Sequence, residues 1–224
     1  MSGDRPLDLI GLDVDGALEE AHHGLTRAGF IVAGGAAVAG LAAWAPATGA
    51  AVPASDREVL NYALVLEYLQ AAFYTESERS KALKGRTAEA AKVVGAVERA
   101  HVKAFRDLLG KYAVGRPHFN FQGVTEKQKS FLKTAVAFED LAVAAYKGQA
   151  RRIRSKSVLT SALGIHTVEA RHAAWMRYLN GDTPAVAAFD LPQDRKEINK
   201  IVASTKFITQ RPRSTSSRKP RYTG

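Results

Sequence analysis

The chain has 224 residues, 46% of them hydrophobic, and no cysteine. It can bury a core of its own, while disulfides, iron–sulfur clusters, thiolate zinc sites and cysteine nucleophiles are excluded, so any metal must be held by His, Asp or Glu. The net charge of +10 is uneven: residues 1 to 50 hold two Arg and six acids, and the remaining 174 carry 30 basic against 16 acidic side chains, a field that attracts anionic lipid, cell-wall polymer or nucleic acid, or that simply keeps the surface solvated.

In chain order, the first segment with a pattern is AGFIVAGGAAVAGLAAWA, residues 28–45, which is uncharged and leads into small-residue sites at Ala45-Pro46-Ala47 and Thr48-Gly49-Ala50. This is the pattern of a signal peptide; the Gly35 to Ala39 and Ala36 to Gly40 spacings also suit a packed membrane anchor. Thr26-Arg27 resembles a twin-arginine export signal with Thr26 in place of the first arginine. Residues 1–50 are expected to be a signal peptide or an N-terminal membrane anchor. The protein is then exported or anchored at the cell envelope, with cytoplasmic retention as the alternative.

Residues 51–184 read as one all-helical domain. Between Ser55 and Gly181 no alternation of period 2 occurs, and apolar residues recur every three or four positions. The first helix is expected from a Ser55 N-cap, with Glu58 completing a capping box, to about Lys81. The second runs from Thr87 to Leu109 and stops at Gly110; the third spans Thr125 to Gln149; the fourth runs from Ser157 to Leu179, ended by Asn180-Gly181-Asp182-Thr183-Pro184. The first and third links are short and make hairpins. The stretch from Gly110 to Val124, extended, reaches roughly 45 Å and can travel back along a helix. The expected fold is all-α: an antiparallel four-helix bundle of two related helical hairpins joined by one long crossover. Trp175 is expected in its core. Residues 185–224 are expected to give a short helical segment to about 205 and a basic disordered tail.

The two hairpins repeat each other. Shifted by 72 residues, Ala63 to Tyr74 aligns with Ala135 to Tyr146; shifted by 71, Val97-Glu98-Arg99-Ala100-His101 aligns with Val168-Glu169-Ala170-Arg171-His172. Glu67 sits on the stripe Leu60, Leu64, Glu67, Ala71, Tyr74, and Glu139 on Leu132, Val136, Glu139, Val143, Tyr146. Each is a carboxylate in the middle of an apolar face, which must meet a cation, carry a proton or coordinate a metal. Glu98 and His101 are three apart, as are Glu169 and His172, so each pair projects from one helical face. Glu67 to Glu98 spans 31 residues and Glu139 to Glu169 spans 30, which lets all four carboxylates reach one level. One Glu from each of two helices and Glu-x-x-His from each of the other two is the ligand set of di-iron and di-manganese carboxylate bundles. Four carboxylates balance two divalent cations, and their hard oxygen donors suit Fe or Mn, with Zn also admissible. Tyr74 and Tyr146 can orient ligands or relay electrons, or simply pack the core. His166, three residues before Glu169, can support that ligand or lie as a polar residue near the helix entrance.

At these residues the sequence resembles the ferritin-like superfamily, and Asn61-Tyr62-Ala63-Leu64-Val65-Leu66-Glu67-Tyr68-Leu69-Gln70-Ala71-Ala72-Phe73-Tyr74 is similar to the bacterial ferritin-like domain family that includes desiccation-related proteins. The likeness covers roughly residues 55 to 181. It implies a four-helix bundle with a two-metal centre liganded by Glu67, Glu98, His101, Glu139, Glu169 and His172. Members of the wider superfamily oxidise Fe(II), reduce oxygen or peroxide, or disproportionate peroxide with manganese. Gln70 stands where related sequences often carry a second acid, which changes ligand number and charge balance. The function so implied is a dinuclear Fe or Mn protein, ferroxidase-like or manganese-catalase-like, that protects the envelope under stress; it is compatible with a homo-oligomer. The other reading is a non-catalytic structural or binding protein, attached through its basic body and tail to anionic envelope polymers or lipids.

Overall fold

The computed structural model of the chain describes residues 52–209. The expected export segment or anchor, and the basic tail beyond residue 209, lie outside the described residues. Four long helices, α1 (Ala54–Ser80), α2 (Gly85–Leu109), α3 (Gln128–Ala150) and α4 (Lys156–Asn180), are followed by a short α5 (Arg195–Thr205). α1 packs chiefly on α2 and α3 chiefly on α4, with α1–α3 and α2–α4 contacts closing the two hairpins into one bundle. No helix among the described residues is long and apolar enough to cross a membrane.

α1 does not open on the expected capping box. Pro53 takes the N-cap position at φ −54°, and no side chain caps the helix. Ser55 Oγ donates to Asp56 Oδ1 at 3.1 Å, while Glu58 accepts from Arg195 at 2.7 Å and from Arg152 at 3.4 Å. The joining residue is Asp56. Buried, it accepts the backbone N–H groups of Arg154 at 2.9 Å and Ser155 at 2.8 Å. Ser155 in turn caps α4 by accepting from Val158 N. One carboxylate thereby ties the start of α1 to the start of α4.

The link between the hairpins travels the length of α1, and its contacts run in step with that helix. Asn61 clasps it first, donating to Tyr112 O at 2.9 Å and accepting from Val114 N at 2.8 Å. Tyr68 then donates to Val114 O, Phe121 packs edge-on against Phe73 with centroids 5.5 Å apart, and Ser80 donates to Thr125 O. The crossover thus starts beside the beginning of α1 and ends beside its C-terminus, so α3 runs antiparallel to α1. α3 itself begins later than expected. Val124–Glu126 forms a 3-10 turn and Lys127 is extended, at φ −137° and ψ 129°, before the helix starts.

Two expectations at the periphery need correction. The chain from Lys206 to Thr209, placed in the disordered tail, is ordered: β1 (His118–Phe119) pairs antiparallel with β2 (Ile208–Thr209), with His118 opposite Thr209. Buried Phe207 packs against Phe121 and Phe138, and this apolar contact anchors the segment. Trp175 is 38% exposed rather than in the core, because Ile165, Glu169, His172 and Met176 occupy the inward stripe of α4.

Candidate metal centre

The six residues picked out by spacing converge in the middle of the bundle. Glu67 comes from α1, Glu98 and His101 from α2, Glu139 from α3, and Glu169 and His172 from α4. All six are buried, the four carboxylates completely. They form two groups, Glu67, Glu98, His101 and Glu169, and Glu98, Glu139, Glu169 and His172; within each, one ligand atom per residue lies within 4.8 Å of the others. Glu98 and Glu169 belong to both. Glu98 Oε2 lies 3.6 Å from His101 Nδ1, and Glu98 Oε1 lies 2.9 Å from His172 Nδ1. Glu169 Oε1 and Glu67 Oε2 each lie 3.2 Å from His101 Nδ1.

These atoms are close without being hydrogen-bonded. Glu67 Oε2, both oxygens of Glu98, Glu169 Oε1 and the Nδ1 atoms of His101 and His172 are buried and have no hydrogen-bond partner in suitable geometry among the described residues. Orphaned buried polar atoms are costly, and six in one cluster demand a common partner. Oxygen and imidazole donors in two overlapping groups fit divalent metal ions, which would turn each orphan into a ligand.

Without metal, protons must balance the charge. Burial pushes Glu67 up to about 7 against the opposing pull of His101, and burial together with the negative charge of Glu98 raises Glu169 well above the carboxylate range. Burial would also raise Glu98, yet the charges of the neighbouring His101 and His172 imidazoles hold it well below the ordinary value. For the histidines burial opposes ionisation, but the surrounding carboxylates prevail: His101 lies well above its usual value and His172 is raised to about 10. Where no metal is bound, the buried carboxylates therefore favour the protonated form of the imidazoles beside them.

The supporting residues cross between hairpins. Tyr74 of α1 donates to Glu139 of α3, and Tyr146 of α3 donates to Glu67 of α1. Burial, reinforced by these carboxylates, raises both phenols well above their ordinary value, so each remains a donor. Gln70 Nε2 reaches Glu139 Oε2 at 3.1 Å and Glu169 Oε2 at 3.3 Å. Its counterpart under the 72-residue shift is Ala142, so this support exists on one side only. His166 stands apart from the centre. Burial lowers its affinity for a proton, Asp190 and Lys147 are the charges it senses, and its Nε2 has no partner among the described residues. It shares α4 with Glu169 but belongs to neither group of candidate ligands.

One contributor carried no motif. A side chain at Gly95 would bring a Cβ to 2.8 Å from the Cβ of Tyr74 and 2.4 Å from Glu78 Oε1. Gly95 therefore lets α2 approach α1 where Tyr74 turns toward Glu139 and where Glu78 pairs with Arg99 at 2.8 Å. Its counterpart under the 71-residue shift is His166.

No curated protein matches the sequence. The family model described as the ferritin-like domain matches residues 55–182, which contain the four bundle helices and all six clustered residues. Fold, helix order and family match agree over more than half of the chain, and the protein belongs to the ferritin-like domain family.

Proposed function

We propose that the protein is a dinuclear Fe or Mn carboxylate protein that oxidises Fe(II) or consumes dioxygen or peroxide, in protection of the cell envelope against oxidative or drying stress. The observation that carries this reading is the position of Glu98: both of its oxygens are buried without hydrogen bonds, one facing the His101 group and the other the His172 group. Glu98 and Glu169, which belong to both groups, would therefore be shared between the two ions as candidate bridges. Glu67 and His101 would complete one metal position, and Glu139 and His172 the other. When bound, such a metal pair supplies electrons to an oxidant and cycles between oxidation states.

The chain's own residues do the rest. Tyr74 and Tyr146 each hold one oxygen of a terminal carboxylate and leave the other directed at the centre. Gln70 holds Glu139 and Glu169 together from the α1 side. The bundle keeps water from the carboxylates, so their attraction for cations is strong. The functional test is anaerobic loading with Fe(II) or Mn(II), followed by addition of dioxygen or peroxide. Oxidant consumption by the wild type, abolished in a Glu98→Ala/His101→Ala variant that retains its helix content, is the expected result. A metal-loaded, folded wild type that consumes neither oxidant would contradict the proposal.

A further inference from the structure

The two ends of the bundle are packed differently, although the hairpins that build them are related. Beyond the Tyr74 side, Phe73 stacks on Phe131 with centroids 5.1 Å apart and meets Phe138 edge-on at 5.1 Å, filling the axis. Under the 72-residue shift, Phe73 corresponds to Ala145 and Phe138 to Leu66. At that opposite end the smaller side chains leave an axial cavity of about 20 Å³, lined among others by Leu60, Leu66, Phe105, Ala145, Tyr146 and Ala162. This exceeds the roughly 10–15 Å³ that one water-sized molecule needs.

The cavity is next to the centre, and on one side of it. Ala63 in its wall is one turn before Glu67, Phe105 is one turn after His101, and Tyr146 bonds Glu67 directly. It therefore adjoins the Glu67/His101 position. Gln70, by contrast, covers Glu139. On its outer side, Tyr62 and Leu66 line both this cavity and a surface groove of about 730 Å³ bordered by Asn61, Arg195 and Lys206. Those two side chains are the partition. Arg195 lies 4.8 Å over the Tyr62 ring, but the buried Tyr62 hydroxyl has no hydrogen-bond partner among the described residues, so no such bond fixes the ring in place.

We propose that this cavity is a docking site for dioxygen on its way to the Glu67/His101 position, reached from the groove past Tyr62 and Leu66. The inference rests on the di-metal reading above. The predominantly hydrocarbon wall selects the occupant: peroxide would surrender its hydrogen bonds to water on entering, whereas an apolar diatomic surrenders none. Ala145 and Leu66 act by leaving space.

The test uses xenon as an apolar probe and needs no metal. Crystals of the metal-free protein under xenon pressure should show xenon between Leu66, Phe105 and Ala145; an Ala145→Phe variant should lose it. Because that substitution can disturb folding, Leu66→Phe, which copies the residue at Phe138, serves as a second filling variant, each checked by its thermal unfolding. In metal-loaded protein of equal metal content, the filled variants should consume dioxygen about tenfold more slowly, as expected when a favoured route is closed and slower ones remain. A wild-type cavity free of xenon, or a filled and metal-replete variant that consumes dioxygen at the wild-type rate, would overturn the docking site while leaving the metal count intact. A wild type that takes up no metal would instead overturn the functional reading, and this proposal with it.

Discussion

At the scale of single residues, the centre depends on buried side chains whose charges cancel only collectively. Tyr74 and Tyr146 each fix one oxygen of a carboxylate from the opposite hairpin, and replacing either by Phe removes that hydrogen bond with little change in shape. Such supports are typically worth about 10- to 100-fold in metal affinity, so each Tyr→Phe variant should bind Mn(II) weaker by about that factor, as read by competition with a chelator. Unchanged affinity in both would show that the phenols only pack. Protons and metal compete for the same atoms, which gives the metal-free protein a definite pH response. Glu67, raised from 4.5 to about 7, and His172, raised from 6.5 to about 10, contribute stability that is complete below the lower value of each pair and lost as pH rises through the higher. Glu98, held low, acts in the opposite sense and loses its contribution only in acid. Thermal midpoints measured in chelator should therefore fall between pH 6.5 and 10, whereas metal, which needs the deprotonated ligands, should raise the midpoint more at the alkaline end. A chelated protein that gains stability over this range would contradict the account.

At the scale of elements, the helices were legible because their signal is local. Apolar spacing located all four within a few residues, and the repeated Glu-x-x-His with an upstream mid-stripe Glu identified the six residues that the bundle brings together. What the sequence left hidden depends on partners far along the chain. Asp56 bonds to backbone 98 and 99 residues away, and nothing near Ser55 announces it. β1 and β2 are two residues long, too short to show alternation, and pair the crossover with the segment that follows α5. The reciprocal bonds of Tyr74 and Tyr146 required knowing which helix each ring faces, and Gly95 required knowing what lies against it. Asp56→Ala would leave two backbone N–H groups without their acceptor, at a cost of about 1–3 kcal/mol for each group that finds no replacement. Urea unfolding should show that loss, with faster amide exchange at Arg154 and Ser155. A variant as stable as the wild type would mean that water replaces the carboxylate at no cost.

At the scale of the molecule, two related hairpins face each other, so each supplies one terminal Glu, one candidate bridge and one His. The relation is broken in three places that bear on function: Gln70 corresponds to Ala142, Phe73 to Ala145, and Phe138 to Leu66. The first makes the two candidate metal positions unequal and the other two open the bundle at one end. All of this presupposes that the buried carboxylates and imidazoles hold metal. The direct measurement is elemental analysis of the protein purified from its native host, counted per chain and repeated on a Glu98→Ala/Glu169→Ala variant that removes both candidate bridges. The expected result is about two Fe or Mn per wild-type chain, lost in the variant while its helix content persists. A folded wild type that carries no metal, and takes up none on anaerobic addition of Fe(II) or Mn(II), would contradict it.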